Sequence, residues 1–380
     1  MADTTGKGLA GVVVADTRKS KVDGEKGKLY YVGYRIEDLA EHASFEEASF
    51  LLWNNRLPTQ AELSEFTHMI ARDMTVKPDI IDVMRDLPKN THPMGVLRSM
   101  ISLLGNRDEE TEDSAPEANL RKARRLLAKT PTLVAAWARI RDGEEPIAPR
   151  ADLGLAANFM YMLKNEEPNP TEVDAANVYL VLLADHGFNA STFTSRVVTS
   201  TDGDIYSAVT AAIGALKGPK HGGANEAAMK MFMEIGGPEN VKDFFEKQVK
   251  GEGRKIMGIG HRVYKAPDPR AVILKKHAKA LADTTGNSKW FETAEKLDEL
   301  ARADEYFIER KLFANVDYYS AIVLYTLGIQ PDMMTPLFAM SRMAGWTANI
   351  IEQWADNRLI RPRANYVGTI DEPWVMIGDR

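Results

Sequence analysis

Hydrophobic residues recur along most of this chain at three- and four-residue intervals, the spacing of one face of an α-helix. Ser44 stands three residues before Glu47 in "SFEEASFLLW", and Thr59 three before Glu62 in "TQAELSEF". Each pair has the form of a capping box ahead of an apolar run, which predicts two helix starts. Thr130-Pro131 reads as an N-cap followed by proline at the first helical position, with Gly143 closing that helix. Ala227, Ala228, Met231, Phe232 and Ile235 predict a helix that Gly236-Gly237-Pro238 stops, and 337–354 reads as a long apolar helix. Apolar residues at 297, 300, 301, 307, 308 and 312 predict one more, between Leu297 and Leu312.

Strand signals sit mainly at the start. "GVVVADT" and "KLYYVGY" flank the turn-like "DGEKG", which predicts one small hairpin. The stretch from Gly105 to Asn119 reads as a solvated acidic loop. Beyond Arg361-Pro362 the helical period is lost and an extended tail is expected. The predicted class is all-α with a small N-terminal β-hairpin.

Composition narrows the function. A chain of 380 residues can bury a sizeable core and form two or three domains at roughly 150 residues each. The net charge of −6 comes from interspersed acids and bases without a basic block, which argues against nucleic acid as a partner. Apolar runs such as Val178 to Ala184 are too short to span a bilayer. The N-terminus lacks a basic start followed by an apolar signal core, so the expectation is a soluble, cytoplasmic protein with no membrane partner. With no cysteine, disulfides, thiolate nucleophiles and cysteine-ligated metals are excluded.

Three of the seven histidines lie directly beside glycine: His186 in "DHGFNASTF", His221 in "KHGGAN" and His261 in "GIGHRVYKAPDPR". Histidine is the usual proton handler near neutral pH, and an adjacent glycine lets the backbone approach a ligand. The competing reading of His221 is a flexible turn with an incidental histidine. Three histidines can also hold zinc, but they are 35 and 40 residues apart with no close pair on one element. No G-x-S-x-G elbow occurs, and "GIG" lacks the third glycine of a dinucleotide fingerprint. Arg270, Arg342 and Arg361 fit either a surface or a carboxylate substrate, which a guanidinium grips bidentately. Asp317 precedes a strongly apolar run, as a helix cap or as a base held in a dry site.

Together the motifs "DHGFNASTFTSRVV", "GPKHGGANEA", "GHRVYKAPDPR", "NVDYYS" and "RPRANYVG" resemble the citrate synthase family. The likeness is to its short bacterial and archaeal type, which includes the 2-methylcitrate synthases, and runs from Gly8 to about Gly368. It implies an all-helical, two-domain fold, with 1–222 and 329–380 as the large domain and 223–328 as a small domain that closes over the substrates. The implied reaction condenses acetyl-CoA with oxaloacetate and water, or propionyl-CoA in the alternative; an inactive CoA-binding homologue is the remaining reading. By resemblance His221, His261 and Asp317 are catalytic, and His186, Arg270, Arg342 and Arg361 bind the dicarboxylate. Lys255, Ile256, Met257, Gly258, Ile259, Lys265 and Asn315 are the implied CoA contacts. Neither a metal nor a permanently bound cofactor is implied, CoA being a co-substrate. The implied assembly is a homodimer sharing its active sites. The family often has an aromatic at the position of Ile259 and an arginine at that of Val32.

Overall fold

The computed structural model describes residues 6–9 and 11–380; the first residues of the expected large domain, 1–5, lie outside it. Three short antiparallel strands come first: β1 (Ser20–Asp23), β2 (Lys28–Tyr31) and β3 (Tyr34–Arg35), in the order β1-β2-β3. The hairpin is therefore built from "SKVD" and "KLYY". "GVVVADT" does not join it and runs exposed, because the turn at Gly24–Gly27 brings only the residues nearest it into register. The β2–β3 turn is Val32-Gly33, with φ of 50° and 89°; β-branched Val32 is strained in that region.

Among the described residues, seventeen α-helices follow. The first six are α1 (Ile36–His42), α2 (Phe45–Asn54), α3 (Gln60–Asp73), α4 (Pro78–Asp86), α5 (Pro93–Asn106) and α6 (Pro116–Arg141). Next come α7 (Leu155–Lys164), α8 (Pro170–Leu183), α9 (Ala190–Thr199), α10 (Ile205–Leu216) and α11 (Ala224–Ile235). Then α12 (Val241–Phe244), which runs into a π-helical turn at Phe245–Gly251, precedes α13 (Pro269–Thr285) and α14 (Lys289–Ala303). The last are α15 (Glu305–Glu309), α16 (Val316–Thr326) and α17 (Met334–Ala355).

Ser44 caps α2 by accepting from Glu47 N, and Thr59 with Glu62 forms a full capping box on α3. Two further sequence expectations need correction. Thr130-Pro131 does not start a helix but lies inside α6. The Thr130 hydroxyl donates to Leu126 O at 2.6 Å instead of capping, and both residues are buried, so packing overrides the local signal. The segment 297–312 is not one helix either. Asp304 leaves helical backbone and accepts from Tyr306 N at 3.0 Å, starting α15 afresh.

The acidic stretch beginning at Gly105 forms the α5–α6 connection, with its ends inside those helices. Asp108 accepts from Arg125 at 2.7 and 2.9 Å, which ties the loop to α6. The core is organised around α17, buried along nearly its whole length and packed on α2, α5, α6, α8, α9, α10 and α11. Helices α13 and α16 pack together, and both reach α8. Residues 356–376 form the extended, exposed tail expected from the sequence.

Candidate active site

His186 sits on the turn after α8, and the small sheet holds that turn. Ser20 of β1 donates to the buried carboxylate of Asp185, and Gly187 N donates to Ser20 Oγ at 2.8 Å. Tyr31 of β2 accepts from Asp185 N at 3.1 Å. Gly187 has a φ of +61°, which lets the chain turn sharply past the histidine. His186 Nε2 lies 3.2 Å from the hydroxyl of Tyr264. Burial first, then Arg270, holds the imidazole well below its ordinary range, so it is neutral.

A glycine loop presents His261. Gly258 and Gly260 have φ of +80° and +93°, and a Cβ on Gly258 would stand 2.9 Å from Tyr318 Cα. Ile259 bridges to Ala314, and Gly260 N donates to Phe313 O at 2.8 Å. Asn315 N donates to Gly258 O at 2.8 Å, and its side-chain Nδ2 donates to Gly260 O at 2.7 Å. The Asn315 Oδ1 accepts from Asp317 N at 2.9 Å, capping α16. One asparagine thus fixes the His261 loop against the helix that carries Asp317. His261 Nδ1 accepts from the N–H groups of Val263 and Tyr264 at 3.0 and 3.1 Å, so a neutral ring carries its proton on Nε2. Burial, with Arg270 nearby, pushes its pKa down to about 4.

His221 follows α10 and precedes α11. Gly222 is required by the chain itself: a Cβ there would lie 2.5 Å from Leu216 O. This refines the sequence reading, in which the glycine opens space for a ligand. The backbone N–H of Ser191, in the first turn of α9, donates to His221 Nε2 at 3.3 Å, and the Ser191 hydroxyl lies 2.8 Å from the same atom. Trp346 Nε1 donates to that hydroxyl at 3.1 Å. With Nε2 accepting, Nδ1 carries the proton. Burial and then Arg342 push the pKa of His221 down to about 4.

Arg270 and Arg342 are 2% and 1% exposed, which removes the surface-arginine reading. Asp268 accepts from Arg270 Nε and Nη2, and also from Val316 N at 3.2 Å. Arg342 Nε donates to Leu183 O at 2.7 Å, and its guanidinium lies 4.8 Å from the Phe338 ring centre. Its Nη1 is buried with no hydrogen-bond partner among the described residues, and so is Oδ1 of Asp317. Burial raises the pKa of Asp317 to about 6, against the opposing charge of Arg270. Asp317 is more than a cap, since Asn315 already caps α16.

The fold thus brings His186, His261 and Arg270 around Tyr264, with the two imidazole centres 5.6 Å apart. Asp317 lies in the field of Arg270 and Arg342, and His221 in that of Arg342. Among the described residues, no group of three His, Asp or Glu side chains is placed to hold a metal, so the zinc alternative finds no cluster. Of the expected CoA contacts, Lys255, Met257 and Lys265 are exposed, whereas Ile256 is buried in the core and offers only its backbone. Lys265 N donates to Gly24 O at 2.9 Å, joining this loop to the hairpin. Arg361 is not brought to the site within one chain: it is exposed, and no carboxylate lies within ion-pair distance among the described residues. Sequence reasoning missed Ser191, Tyr264, Asp268 and Trp346. Tyr264 and Asp268 lie inside the motif around His261, where their polarity between Gly260 and Arg270 was the available signal.

The family model described as "Citrate synthase, C-terminal domain" matches residues 8–363. The chain belongs to the citrate synthase family. This is a family of transferases that catalyse a condensation. Among its relatives, "Citrate synthase 2" of Bacillus subtilis is 51% identical over 99% of this chain and 100% of its own length. A 2-methylcitrate synthase of Mycobacterium tuberculosis is 44% identical over 95% of this chain and 90% of its own. The crystal structure of citrate synthase from Pyrobaculum aerophilum superposes with a TM-score of 0.93 at 42% identity, covering 98% of this chain and 95% of that one. Citrate synthase from Thermoplasma acidophilum, a ternary complex with carboxymethyl coenzyme A and oxaloacetate, gives 0.92 at 33% identity over 99% of both chains. The all-α class with a small N-terminal sheet agrees with these neighbours.

Proposed function

We propose that this chain is a citrate synthase, condensing acetyl-CoA with oxaloacetate and water to give citrate and CoA. The observation that carries the reading is a pair of buried polar atoms without protein partners, Asp317 Oδ1 and Arg342 Nη1, together with two neutral imidazoles of fixed tautomer, His221 in the field of Arg342 and His261 in that of Arg270. Buried polar atoms left unpaired are costly, and they fit a site completed by its substrates: Arg342 Nη1 can donate to a carboxylate, and the Asp317 oxygen can accept a proton.

In this reading Asp317 takes a proton from the acetyl methyl group, the C–H electron pair forms the C=C bond of the enolate, and the C=O π pair moves onto the thioester oxygen. A thioester methyl is a weak acid, so the oxygen must be stabilised as charge develops. His221 Nδ1–H donates to it, a contribution of about 10²–10³ in rate for one such donor. The enol carbon then attacks the ketone carbon of oxaloacetate, whose oxygen receives a hydrogen bond from His261 Nε2–H. Arg270, Arg342 and His186 hold the carboxylates, which lowers the entropic cost of joining two substrates. Water hydrolyses the resulting citryl-CoA.

Lys255 to Ile259, Lys265 and Asn315 line the path of CoA, and 223–328 closes over both substrates. The protein works as a cytoplasmic homodimer in which Arg361 of the partner subunit completes each site. Exposed Tyr366, Val367, Ile370 and Trp374 on the tail support that assembly, since a second copy would cover them. The test is product formation from oxaloacetate with each acyl-CoA. A kcat/KM higher for acetyl-CoA supports the reading. Preference for propionyl-CoA gives 2-methylcitrate instead, and no turnover with either makes the chain a binding homologue.

A further inference from the structure

Tyr179 of α8 is 1% exposed, and its hydroxyl has no hydrogen-bond partner among the described residues. Along α8, Val178, Leu180, Val181, Leu182 and Leu183 are also buried and aliphatic, so the helix is apolar all round here, and phenylalanine would occupy the place of Tyr179 without leaving a polar atom unpaired. A phenol kept at such a place calls for a function beyond packing. Oδ1 of Asp317 is the matching orphan, an acceptor without a donor. Helix α16, which carries Asp317, packs against α8, and Arg342 donates to Leu183 O one helical turn beyond Tyr179. Burial and then the charge of Asp317 hold the phenol well above its ordinary range, with Arg342 acting the other way. The hydroxyl therefore stays protonated, as a donor, across the neutral range.

Taking Asp317 as the base proposed above, we infer that Tyr179 is its positioning residue, donating to Oδ1 so that the other carboxylate oxygen faces the acyl methyl. The two groups make no hydrogen bond in this structure; the bond belongs to the closed state proposed above, since α16 lies within 223–328 and α8 outside it. It fixes the carboxylate rotamer, and because it favours the charged form it offsets part of the desolvation that raises the pKa of Asp317.

The experiment compares Tyr179→Phe with the unaltered enzyme in kcat, KM for oxaloacetate, pH profile and thermal midpoint. Loss of a hydrogen bond to a charged group should lower kcat by about 10- to 100-fold. KM for oxaloacetate should stay within about twofold, the acid limb of kcat should move to higher pH, and the thermal midpoint should hold or rise. Site-specific 3-fluorotyrosine at 179, a stronger donor of nearly the same shape, should move the acid limb the opposite way. An unchanged kcat and acid limb in both variants overturns the inference. Asp317→Asn separates the two ideas. If it is inactive while Tyr179→Phe is unaffected, only the positioning role falls. If Asp317→Asn turns over normally, the assignment of the base falls first.

Discussion

Asp268 accepts from Arg270 Nε at 3.0 Å and from Nη2 at 2.9 Å, with the two side chains 1% and 2% exposed. The same carboxylate accepts from Val316 N, so one ion pair joins a proposed substrate-holding arginine to the helix bearing the proposed base. Arg270→Lys keeps the charge but loses the planar fork. We expect KM for oxaloacetate to rise at least about tenfold with a smaller change in kcat, measured by steady-state kinetics. Asp268→Ala leaves a buried guanidinium unpaired and should cost roughly 3–5 kcal/mol of stability, read by denaturant unfolding.

Asp317 carries the clearest pH signature. Burial raises its pKa to about 6, and only the ionised form removes a proton, so kcat/KM should fall as pH drops through about 6. The sign for stability is the reverse. A carboxyl whose folded pKa is raised adds stability below its unfolded pKa of about 4 and loses it as pH climbs through about 6. Asp317→Asn should therefore lose at least about 10²-fold in kcat. It should also unfold at a higher temperature than the parent at pH 8, a difference that narrows by pH 4.

The imidazoles should be neutral in opposite tautomers. At pH 7, ¹⁵N spectra should show His261 protonated on Nε2 and His221 on Nδ1, with both titrating only near pH 4. His221→Ala should lower kcat by at least about 10²-fold. Near-normal turnover would remove it as the donor to the enolate oxygen.

Arg361 can be tested by mixing subunits. One protein carries Arg361→Ala and the other Asp317→Asn, each nearly inactive alone. If Arg361 acts across the dimer, a mixed dimer has one doubly defective site and one intact site. Up to about half the activity per heterodimer should then return. No recovery after verified subunit exchange would show that Arg361 serves its own chain.

The sequence was most readable where local chemistry agrees with tertiary packing. Ser44 and Thr59 are caps in both, and the chain after Arg361 is extended in both. It misled at Thr130-Pro131, where a local start signal lies in a helix that the surrounding core holds through the proline. For the site, spacing singled out the glycine-flanked histidines, and resemblance supplied their roles. Ser191 and Trp346 stayed invisible because the contact of Ser191 to His221 spans 30 residues and that of Trp346 to Ser191 spans 155. Nothing in a local pattern marks such a pair.

The link between Ser20 and Asp185 crosses 165 residues, and Asp185 also accepts from Asn349 at the far end of the chain. The turn bearing His186 is therefore complete only when the first strand, the middle and the last long helix have met. Local helices need no such meeting, and contacts this distant form late because loop closure must come first. During refolding, far-UV helicity should reappear before oxaloacetate binding does. On the ribosome, a chain released short of α17 should be unable to hold the dicarboxylate.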